Sequence, residues 1–327
     1  MIIDWRQLHG AAFDGKRALV TGGAGFIGSH LADALIALGA EVRVLDDLSS
    51  GRAQNVPKAV TLIRRSITDE GIADAFDGCD YVFHEAALAS VPLSVERPAD
   101  FMRVNVTGTM NVLQASVKAK VKRVLFAASS SAYGESEALP KVESMPPQPL
   151  SPYAASKVAG EALLRSWAHC YGVDTASLRY FNIFGPRQTA DSAYAAVIAA
   201  FAKAMLRGER PTIFGDGEQS RDFTYVANAV HANLLAARSA TPLNGDIFNV
   251  ACGQRVSLND LARVMRDALN RPMLSPVYQP PRAGDVRHSL ADLTQIRQSL
   301  GYEPIVDFAA GLRATLEWYE ADVHARG

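Results

Sequence analysis

Tyr153 and Lys157 are the two residues whose types and spacing most directly suggest proton chemistry. They lie four positions apart in the segment from Pro152 to Tyr171, which has the pattern of a long helix, so their side chains share one face. A phenol with a pKa of about 10 is a poor base at neutral pH, but an ammonium group one turn away favours the phenolate. The pair therefore predicts a tyrosine base with a lowered pKa. The alternative is an amphipathic helix that carries both residues on its solvated face.

Three serines follow a predicted strand. The apolar run from Arg123 to Ala128 is typical of a buried strand, and Ser129, Ser130 and Ser131 come directly after it. Serines in this position usually only form a turn, but the carboxyl edge of a parallel sheet is also where ligands bind. Ser129 is therefore a candidate partner of the tyrosine.

A glycine-spaced turn lies near the start of the chain, in the run Leu19-Val20-Thr21-Gly22-Gly23-Ala24-Gly25-Phe26-Ile27-Gly28. An apolar strand leads into this turn and an apolar-periodic helix leaves it, an order that brings backbone N–H groups and a helix N-terminus to a diphosphate. Gly22 permits the turn, Gly25 lets the backbone approach the ligand, and Gly28 lets the helix pack against the strand. The alternative is a connecting turn in which the glycines are incidental.

Asp46 lies 18 residues after Gly28, at the end of a second predicted strand. A carboxylate in this place accepts hydrogen bonds from both hydroxyls of an adenosine ribose and repels a 2′-phosphate, which predicts NAD rather than NADP. An oxidised nicotinamide ring near Tyr153 would add a second positive charge, and lowering the phenol pKa by about 3 units requires about 4 kcal/mol. The alternative role of Asp46 is a turn cap, like that of Asp47.

Strand and helix patterns alternate from Lys16 onward, which predicts an α/β fold: a Rossmann-type doubly wound parallel sheet with a smaller C-terminal α/β substrate domain. We expect residues 1–182, with a return near 225–252, to form the NAD-binding domain. Residues 183–327 are expected to form the substrate domain, interleaved with the first, because the strand Ile247 to Val250 should rejoin the main sheet.

Three further segments carry expectations that the structure can test. Residues 1–15 are expected to lie as a short arm on the surface. Ala193 to Arg207 has a helical pattern. Pro276 to Asp285 is rich in proline and charge and is expected to be an active-site loop.

Composition excludes several classes of protein. The chain has 327 residues with a net charge of −1, which argues against capture of nucleic acid or an anionic membrane. It has no run of about 18 apolar residues, so no membrane span is expected. Three widely spaced cysteines without metal-ligand spacing indicate a reducing compartment and no metal. Without a signal-peptide pattern, the protein is expected to be cytoplasmic.

The motifs together resemble those of the extended short-chain dehydrogenase/reductases, specifically the nucleotide-sugar 4-epimerases. The resemblance covers about residues 16 to 320 and is closest to the bacterial UDP-N-acetylglucosamine 4-epimerases of surface-polysaccharide synthesis. It rests on the glycine turn, Asp46, His84 with Ala86-Ala87, Asn105, Ser129, Tyr153 with Lys157, Arg179-Tyr180-Phe181-Asn182, Arg221-Asp222-Phe223 and Arg282 with Gly284-Asp285.

The resemblance implies a role for each matching residue. Tyr153 is the acid and base at the sugar O4, Ser129 relays the proton, and Lys157 binds the nicotinamide ribose. The implied NAD-binding residues are Gly22, Gly25, Phe26, Ile27, Gly28, Asp46, Ser66, Ile67, Ala86, Asn105, Tyr153, Lys157 and Tyr180. The implied substrate-binding residues are Ser90, Ser129, Ser131, Asn182, Ala196, Val197, Thr212, Phe214, Arg221, Arg282, Asp285 and Ser289.

The resemblance assigns the substrate-binding residues to two parts of the UDP-sugar, the diphosphate and the uridine. Asn182, Arg221 and Arg282 hold the UDP diphosphate, and two guanidinium groups suit a phosphate on chemical grounds as well. Ala196, Val197, Thr212 and Phe214 contact the uridine.

Departures from related families narrow the reaction. Ser66 stands where many relatives have an adenine-binding Asp, so the adenine contact is expected to be weaker or water-mediated. The 4,6-dehydratases have Asp-Glu at the sites of Ser130 and Ser131, and two hydroxyls cannot replace that acid and base. Asn182 stands where uronate epimerases tend to have Thr. Ser289 stands where enzymes restricted to glucose and galactose often have Tyr, and it leaves room for an acetamido group.

The implied function is reversible C4 epimerisation of UDP-hexoses through a 4-keto intermediate and bound NAD, with the N-acetylated pair first and UDP-glucose/UDP-galactose also accepted. The alternatives are a UDP-uronate 4-epimerase or decarboxylase and a non-catalytic NAD-binding sensor. Relatives pair through the helices that match Asn105 to Ala119 and Pro152 to Tyr171, so a homodimer is expected.

Overall fold

A seven-stranded parallel sheet lies at the centre of the computed structural model, which describes residues 1–189, 196–281 and 286–326. Its strand order is β11-β6-β5-β4-β1-β2-β3. The strands of the chain are β1 (Arg17–Thr21), β2 (Glu41–Leu45), β3 (Thr61–Ile63), β4 (Tyr81–His84), β5 (Arg123–Ser129), β6 (Asp174–Tyr180), β7 (Ile183–Phe184), β8 (Thr212–Phe214), β9 (Ser220–Arg221), β10 (Thr224–Tyr225), β11 (Asp246–Val250), β12 (Val256–Ser257) and β13 (Val277–Gln279). The order changes direction between β1 and β4, and in such sheets ligands bind at the carboxyl edge beside that point.

Helices cover both faces of the sheet. They are α1 (Trp5–His9), α2 (Phe26–Ala37), α3 (Val91–Glu96), α4 (Pro98–Phe101), α5 (Gly108–Lys118), α6 (Pro152–Tyr171), α7 (Val197–Leu206), α8 (Val226–Arg238), α9 (Leu258–Ala268), α10 (Thr294–Leu300) and α11 (Phe308–Arg326). Helices α2 and α8 pack on one face, and α5 and α6 pack on the other. No helix in the described part of the chain combines the length and apolar character needed to cross a membrane.

Alternate strand residues enter two different cores, as expected for strands buried on both faces. Val20 and Phe83 belong to the cluster under α2 and α8. Their neighbours Leu19 and Val82 belong to the cluster under α5 and α6. The Rossmann-type doubly wound fold that the sequence predicts is therefore confirmed.

The predicted return of the chain to the main sheet is also confirmed. Strand β11 pairs in parallel with β6, from Asp246 beside Ala176 to Val250 beside Tyr180. A separate apolar cluster forms around α7, α9 and α11. The exact division of the chain into two domains stays a prediction.

The prediction of a loop from Pro276 to Asp285 is wrong for its first part. Val277, Tyr278 and Gln279 form β13, which pairs in parallel with β8. Valine and tyrosine favour strands, and the segment forms a strand because it pairs with β8, which lies 65 residues earlier in the chain. Residues 282–285 lie outside the described residues. Of the predicted helix Ala193 to Arg207, the part from Val197 to Leu206 is helical, and residues 193–195 lie outside the described residues.

The prediction that residues 1–15 form a surface arm is wrong. Asp4 caps α1 by accepting a hydrogen bond from the Gln7 backbone N–H at 2.9 Å. The Phe13 side chain is fully buried, with its ring edge-on to Tyr81. His9 is buried as well, and its Nε2 lies 3.0 Å from Nδ1 of His231 on α8. Two side chains, His9 and Phe13, therefore anchor in the core a segment that is otherwise mostly at the surface.

The helix predicted from Asn105 to Ala119 begins differently. Regular α-helix runs over Gly108–Lys118, and a π-helical turn, Met102–Thr107, precedes it. Such turns are rare and often lie at functional sites. Asn105 lies inside this turn.

Candidate active site

The glycine turn has the geometry of a phosphate cradle. Gly22 has a φ of +69°, and a Cβ there would lie 2.6 Å from the backbone N of Ala86. A Cβ on Gly28 would collide with the carbonyl oxygen of Gly22. Gly25 begins α2 as its N-cap, and no side chain caps that end. The first-turn N–H groups are therefore available to an anion, and the residues present fit a dinucleotide.

Asp46 performs the structural role of a cap and keeps the capacity for the cofactor role. Its Oδ2 accepts a hydrogen bond from the Ala24 N–H at 2.9 Å, and its Oδ1 accepts one from the Leu48 N–H at 2.8 Å. Burial raises the pKa of this carboxyl group. Because each carboxylate oxygen has a second lone pair, Asp46 can still accept from ribose hydroxyls. The two roles proposed from the sequence are compatible.

The predicted adenine end is held by local contacts. The Ser66 hydroxyl accepts a hydrogen bond from the Thr68 N–H at 3.3 Å and lies 2.9 Å from the Thr68 hydroxyl. Ile67 is buried and packs against Gly108, the first residue of α5. Both residues follow β3 at the carboxyl edge, where the sequence places them.

Asn105 holds a loop through contacts that leave it no free hydrogen-bond donor. Its amide nitrogen donates to the Leu88 carbonyl at 3.0 Å and to the Ser156 hydroxyl at 2.9 Å. Its oxygen accepts from the Leu88 N–H at 2.8 Å. Asn105 therefore positions the loop after β4 through Leu88, and its contact with the cofactor stays a prediction.

Ser129 and Tyr153 meet at the carboxyl edge of the sheet. Helix α6 begins there because the Ser151 hydroxyl accepts a hydrogen bond from the Ala154 N–H at 3.1 Å. This places Tyr153 in the first turn, close enough to Ser129 for that side chain to lower the pKa of the phenol. The Ser131 hydroxyl donates to the Ser129 hydroxyl at 2.9 Å. The structure therefore brings the hydroxyl groups of Ser129, Ser131 and Tyr153 to one sheet edge.

Lys157 shares the face of Tyr153 but directs its ammonium group elsewhere. Its Nζ donates to the Ala127 carbonyl at 2.8 Å and lies 5.0 Å from the centre of the Phe126 ring. Burial raises the pKa of Tyr153, and the neighbouring Ser129 hydroxyl lowers it. Burial also lowers the pKa of Lys157 to about 8. The expectation that Lys157 lowers the tyrosine pKa stays a prediction.

His84 forms a buried chain behind the glycine turn that the sequence interpretation missed. The Thr109 hydroxyl donates to the Asn105 carbonyl at 2.6 Å, so it must accept from Nε2–H of His84 at 2.9 Å. His84 Nδ1 then accepts from the Thr21 hydroxyl at 2.7 Å. Burial lowers the pKa of His84 to about 3, which agrees with this neutral tautomer. The only sequence signal was the histidine at the end of a strand.

Three of the predicted substrate-binding residues, Asn182, Arg221 and Ser289, lie in one region. Asn182 has a left-handed backbone with a φ of +38°. Its amide nitrogen donates to the Ser289 hydroxyl and to the Asp222 carbonyl, both at 3.2 Å. Arg221 is the neighbour of Asp222, and its guanidinium group donates to the Arg287 carbonyl at 3.2 Å.

Asp222 organises this region, a role that the sequence interpretation did not assign. Its carboxylate accepts hydrogen bonds from the N–H groups of Cys252, Gly253 and Ala291, at 3.0, 3.0 and 3.2 Å. The side chain is fully buried, and burial raises its pKa to about 6. Asp222 thereby ties the segment that carries Ser289 to the segment after β11.

The remaining predicted substrate residues are placed as follows. Phe214, at the end of β8, lines a cavity of about 580 Å³ together with Gly215, Asp216, Gln219, Gln279, Pro281, Val286 and Arg287. Thr212 begins β8, Ala196 is the N-cap of α7, and Val197 is its first residue. Ser90 caps α3 by accepting from the Leu93 N–H at 3.3 Å. Arg282 and Asp285 lie outside the described residues.

The fold and this site define a Rossmann-type enzyme with a dinucleotide cradle and a buried tyrosine at the carboxyl edge of its sheet. Across the described ranges, no group of His, Cys, Asp and Glu side chains could hold a metal ion. Comparison with known proteins refines the class. A family model described as NAD dependent epimerase/dehydratase matches residues 18–251.

Relatives match almost the whole chain. It is 40% identical to a UDP-glucose 4-epimerase of Mycolicibacterium smegmatis, over 93% of this chain and 98% of that one. The structure of a UDP-N-acetylglucosamine 4-epimerase from Methanobrevibacter ruminantium is 41% identical, with a TM-score of 0.91 over 95% of this chain and 100% of that one. A UDP-glucose 4-epimerase structure from Thermotoga maritima is 40% identical, with a TM-score of 0.90, a coverage of 94% and 99%, and UDP-glucose bound. The chain belongs to the NAD dependent epimerase/dehydratase family, and its cofactor is NAD.

Proposed function

We propose that this protein reversibly inverts C4 of UDP-hexoses, with UDP-N-acetylglucosamine and UDP-N-acetylgalactosamine as first substrates and UDP-glucose and UDP-galactose also accepted. The observation that carries the proposal is the placement of Ser129 and Tyr153 at the carboxyl edge, at the end of β5 and the start of α6, with Lys157 buried one turn away. The printed activities of the Mycolicibacterium and Methanobrevibacter relatives support the same reaction.

The protein side of the mechanism is a proton transfer at O4. NAD, when bound, supplies the acceptor and donor of hydride at C4 and a positive charge that favours the phenolate. Tyr153 takes the O4 proton and later returns it. Because Ser131 donates to Ser129, the Ser129 hydrogen is free to stabilise the phenolate of Tyr153 or to bond O4. Asn182 and the guanidinium group of Arg221 hold the diphosphate while the 4-keto sugar turns.

Ser130 and Ser131 do not supply the acid and base that water elimination needs. The Ser131 hydroxyl is occupied by its bond to Ser129, and Ser130 lies in the same short 3₁₀ turn. A hydroxyl group cannot act as the acid or the carboxylate base that elimination needs. The site therefore suits epimerisation.

The direct test is an assay panel of UDP-sugars. Purified protein incubated with UDP-N-acetylglucosamine should form the galacto epimer without any added reductant, because the cofactor is regenerated in each cycle. UDP-glucose should react as well. Turnover of UDP-glucuronate in preference to both would support the uronate alternative, and bound NAD with no turnover of any sugar would support the sensor alternative.

Substitution of Ser289 by Tyr should change the choice of sugar. Ser289 is small and lies 3.2 Å from Asn182, so a phenol ring there would occupy the space that we assign to the acetamido group. We expect kcat/KM for UDP-N-acetylglucosamine to fall about 10- to 100-fold while that for UDP-glucose changes little. Ser289→Ala is the matched control and should keep both activities. Equal losses on both sugars in Ser289→Tyr would contradict the gatekeeper role.

We also propose a homodimer that pairs through α5 and α6. Apolar side chains on α6 and the neighbouring helices are exposed, with Tyr171 59% and Val95 65% accessible. Static light scattering should give about twice the chain mass of 35.1 kDa. Tyr171→Glu should shift the mass towards the monomer, whereas Met273→Glu, at an exposed site away from these helices, should not. A monomeric wild type would refute the dimer.

We place the protein in the cytoplasm, in the synthesis of surface-polysaccharide precursors. Cys79, Cys170 and Cys252 are all free thiols, which suits a reducing compartment.

A further inference from the structure

Glu85 is an acidic residue at the catalytic edge that the mechanism above does not use. It follows β4 directly, and its backbone N–H donates to the Thr21 carbonyl at 3.1 Å. Its Oε1 accepts a hydrogen bond from the Tyr180 hydroxyl at 2.7 Å. Tyr180 lies beside Ser129 in the register of β5 and β6. The carboxyl group of Glu85 is therefore at the same sheet edge as the proton-transfer residues.

A directed chain of hydrogen bonds fixes Glu85 as an acceptor. The amide nitrogen of Asn233, on α8, donates to the Ala229 carbonyl at 2.9 Å and to the Tyr180 oxygen at 2.7 Å. The carbonyl can only accept, so the nitrogen of Asn233 must face it, and both amide hydrogens are used. Tyr180 must then give its own hydrogen to Glu85. The hydrogen bonds from Asn233 through Tyr180 therefore present a donor to the carboxylate of Glu85.

The charged state of Glu85 is finely balanced. Burial raises its pKa to about 7, while the hydrogen bond from Tyr180 and the ammonium of Lys157 oppose that rise. Lys157 from α6 and Tyr180 from β6 are the titratable groups that act on it, and Asn233 from α8 and Thr21 from β1 carry no charge. A nearby change of one unit charge would therefore decide whether the carboxyl group holds a proton near neutral pH.

We propose that Glu85 is a positioning residue that stabilises the oxidised, cationic form of bound NAD and couples its reduction to proton uptake. The hydride leaves the sugar C4–H bond with its electron pair and removes the positive charge of the nicotinamide ring, while Tyr153 takes the O4 proton. Glu85 then takes a separate proton from solvent and releases it when the hydride returns to the sugar. The proposal rests on the proposed function.

The consequence concerns the resting enzyme. An epimerase that loses its 4-keto sugar is left with reduced cofactor and cannot begin another cycle. A carboxylate that favours oxidised NAD lowers the fraction of enzyme that is left in this inactive, reduced form. The effect should be largest above the pKa of Glu85 and absent well below it, because the protonated acid has no charge in either redox state.

The test measures the redox equilibrium of the bound cofactor without any sugar. Holoenzyme is equilibrated with a redox dye of known potential from about pH 5.5 to about pH 8.5, a range that brackets the pKa of about 7, and reduced cofactor is read by its near-ultraviolet absorbance. We expect Glu85→Gln to equal the wild type at the acid end. At the alkaline end its reduced-to-oxidised ratio should be about tenfold higher, which corresponds to a change of about one pKa unit of Glu85 between the two redox states.

Three further variants sharpen the result. Glu85→Asp keeps the charge and should retain the pH dependence. Tyr180→Phe removes the donor to Glu85, so the divergence from Glu85→Gln should move to higher pH. Glu143→Gln is the matched control, since Glu143 is another partly buried acid whose Oε1 accepts from the Asn249 N–H at 2.7 Å, and it should follow the wild type throughout.

Two outcomes would overturn the proposal: identical ratios for Glu85→Gln and wild type at every pH, or a constant offset that does not vary with pH. Failure of all the Glu85 and Tyr180 variants to retain NAD would overturn it too, because Glu85 would then serve cofactor retention. The measurement contains no sugar, so a protein without epimerase activity but with bound NAD still tests the role of Glu85. An active epimerase with an indifferent Glu85→Gln refutes only the role of Glu85.

Discussion

Tyr153→Phe should lower kcat for C4 epimerisation by about 10³- to 10⁴-fold, the upper range for loss of a general acid and base. The substitution removes one oxygen atom and keeps the aromatic ring, which packs edge-on against Phe101 at a centroid distance of 6.4 Å. The protein should therefore fold normally and retain NAD. The measurement is kcat with UDP-N-acetylglucosamine at saturating substrate, together with a thermal melt and the cofactor content.

A second tyrosine provides the control for this prediction. The hydroxyl of Tyr133 is buried and donates to Oδ1 of Asn249 at 2.6 Å, away from the hydroxyl chain of Ser129. Tyr133→Phe should cost about 1 kcal/mol of stability through the lost hydrogen bond and leave kcat nearly unchanged. Equal activity of Tyr153→Phe and wild type would contradict both the mechanism and the proposed function.

The pH dependence of kcat should reveal how the tyrosine is activated. Burial raises the pKa of Tyr153 and the Ser129 hydroxyl lowers it, so Ser129→Ala removes a group that favours the phenolate. The rising limb of kcat against pH should then move to higher pH, and activity at neutral pH should fall.

Elements with strong local signals were predictable from the sequence. Helix α6 runs from Pro152 to Tyr171 as predicted, because Ser151 caps one end and Gly172, in the left-handed conformation, ends the other. The strand Asp174–Tyr180 also matches its prediction, since a run of residues buried on both faces has few alternatives. Tyr153 and Ser129 come together because α6 begins at the carboxyl edge where β5 ends.

Contacts between distant segments were not predictable. Strands β7 and β10 have two residues each, which is too short for any periodicity, and they exist because they pair with one another. Spacing on a helix places Tyr153 and Lys157 on one face but does not determine where a flexible ammonium group bonds. The contact of Glu85 with Tyr180 joins residues 95 positions apart and depends on which side chains β4 and β6 present at their ends.

Glu161→Met should lower the free energy of unfolding by about 3–5 kcal/mol, the cost of leaving a buried charge without its partner. Glu161 on α6 accepts two hydrogen bonds from the Arg179 guanidinium on β6, both at 2.8 Å, and the two side chains are only 5% and 2% exposed. The guanidinium also lies 4.6 Å from the centre of the Tyr133 ring, so it has no route to solvent. Denaturant unfolding of wild type and variant measures the difference.

An exposed ion pair with the same bidentate geometry shows how much of the stability loss comes from burial of the charge. Arg297 donates to both oxygens of Glu303 at 2.9 Å, but the two side chains are 48% and 66% exposed. Glu303→Met should cost less than about 1 kcal/mol because water replaces the lost partner. Glu161→Met combined with Arg179→Leu should recover most of the stability that Glu161→Met alone loses, since apolar residues of similar size remove the unpaired charge. A double variant as unstable as the two single losses added together would mean that the pair itself, and not the stranded charge, holds α6 to β6.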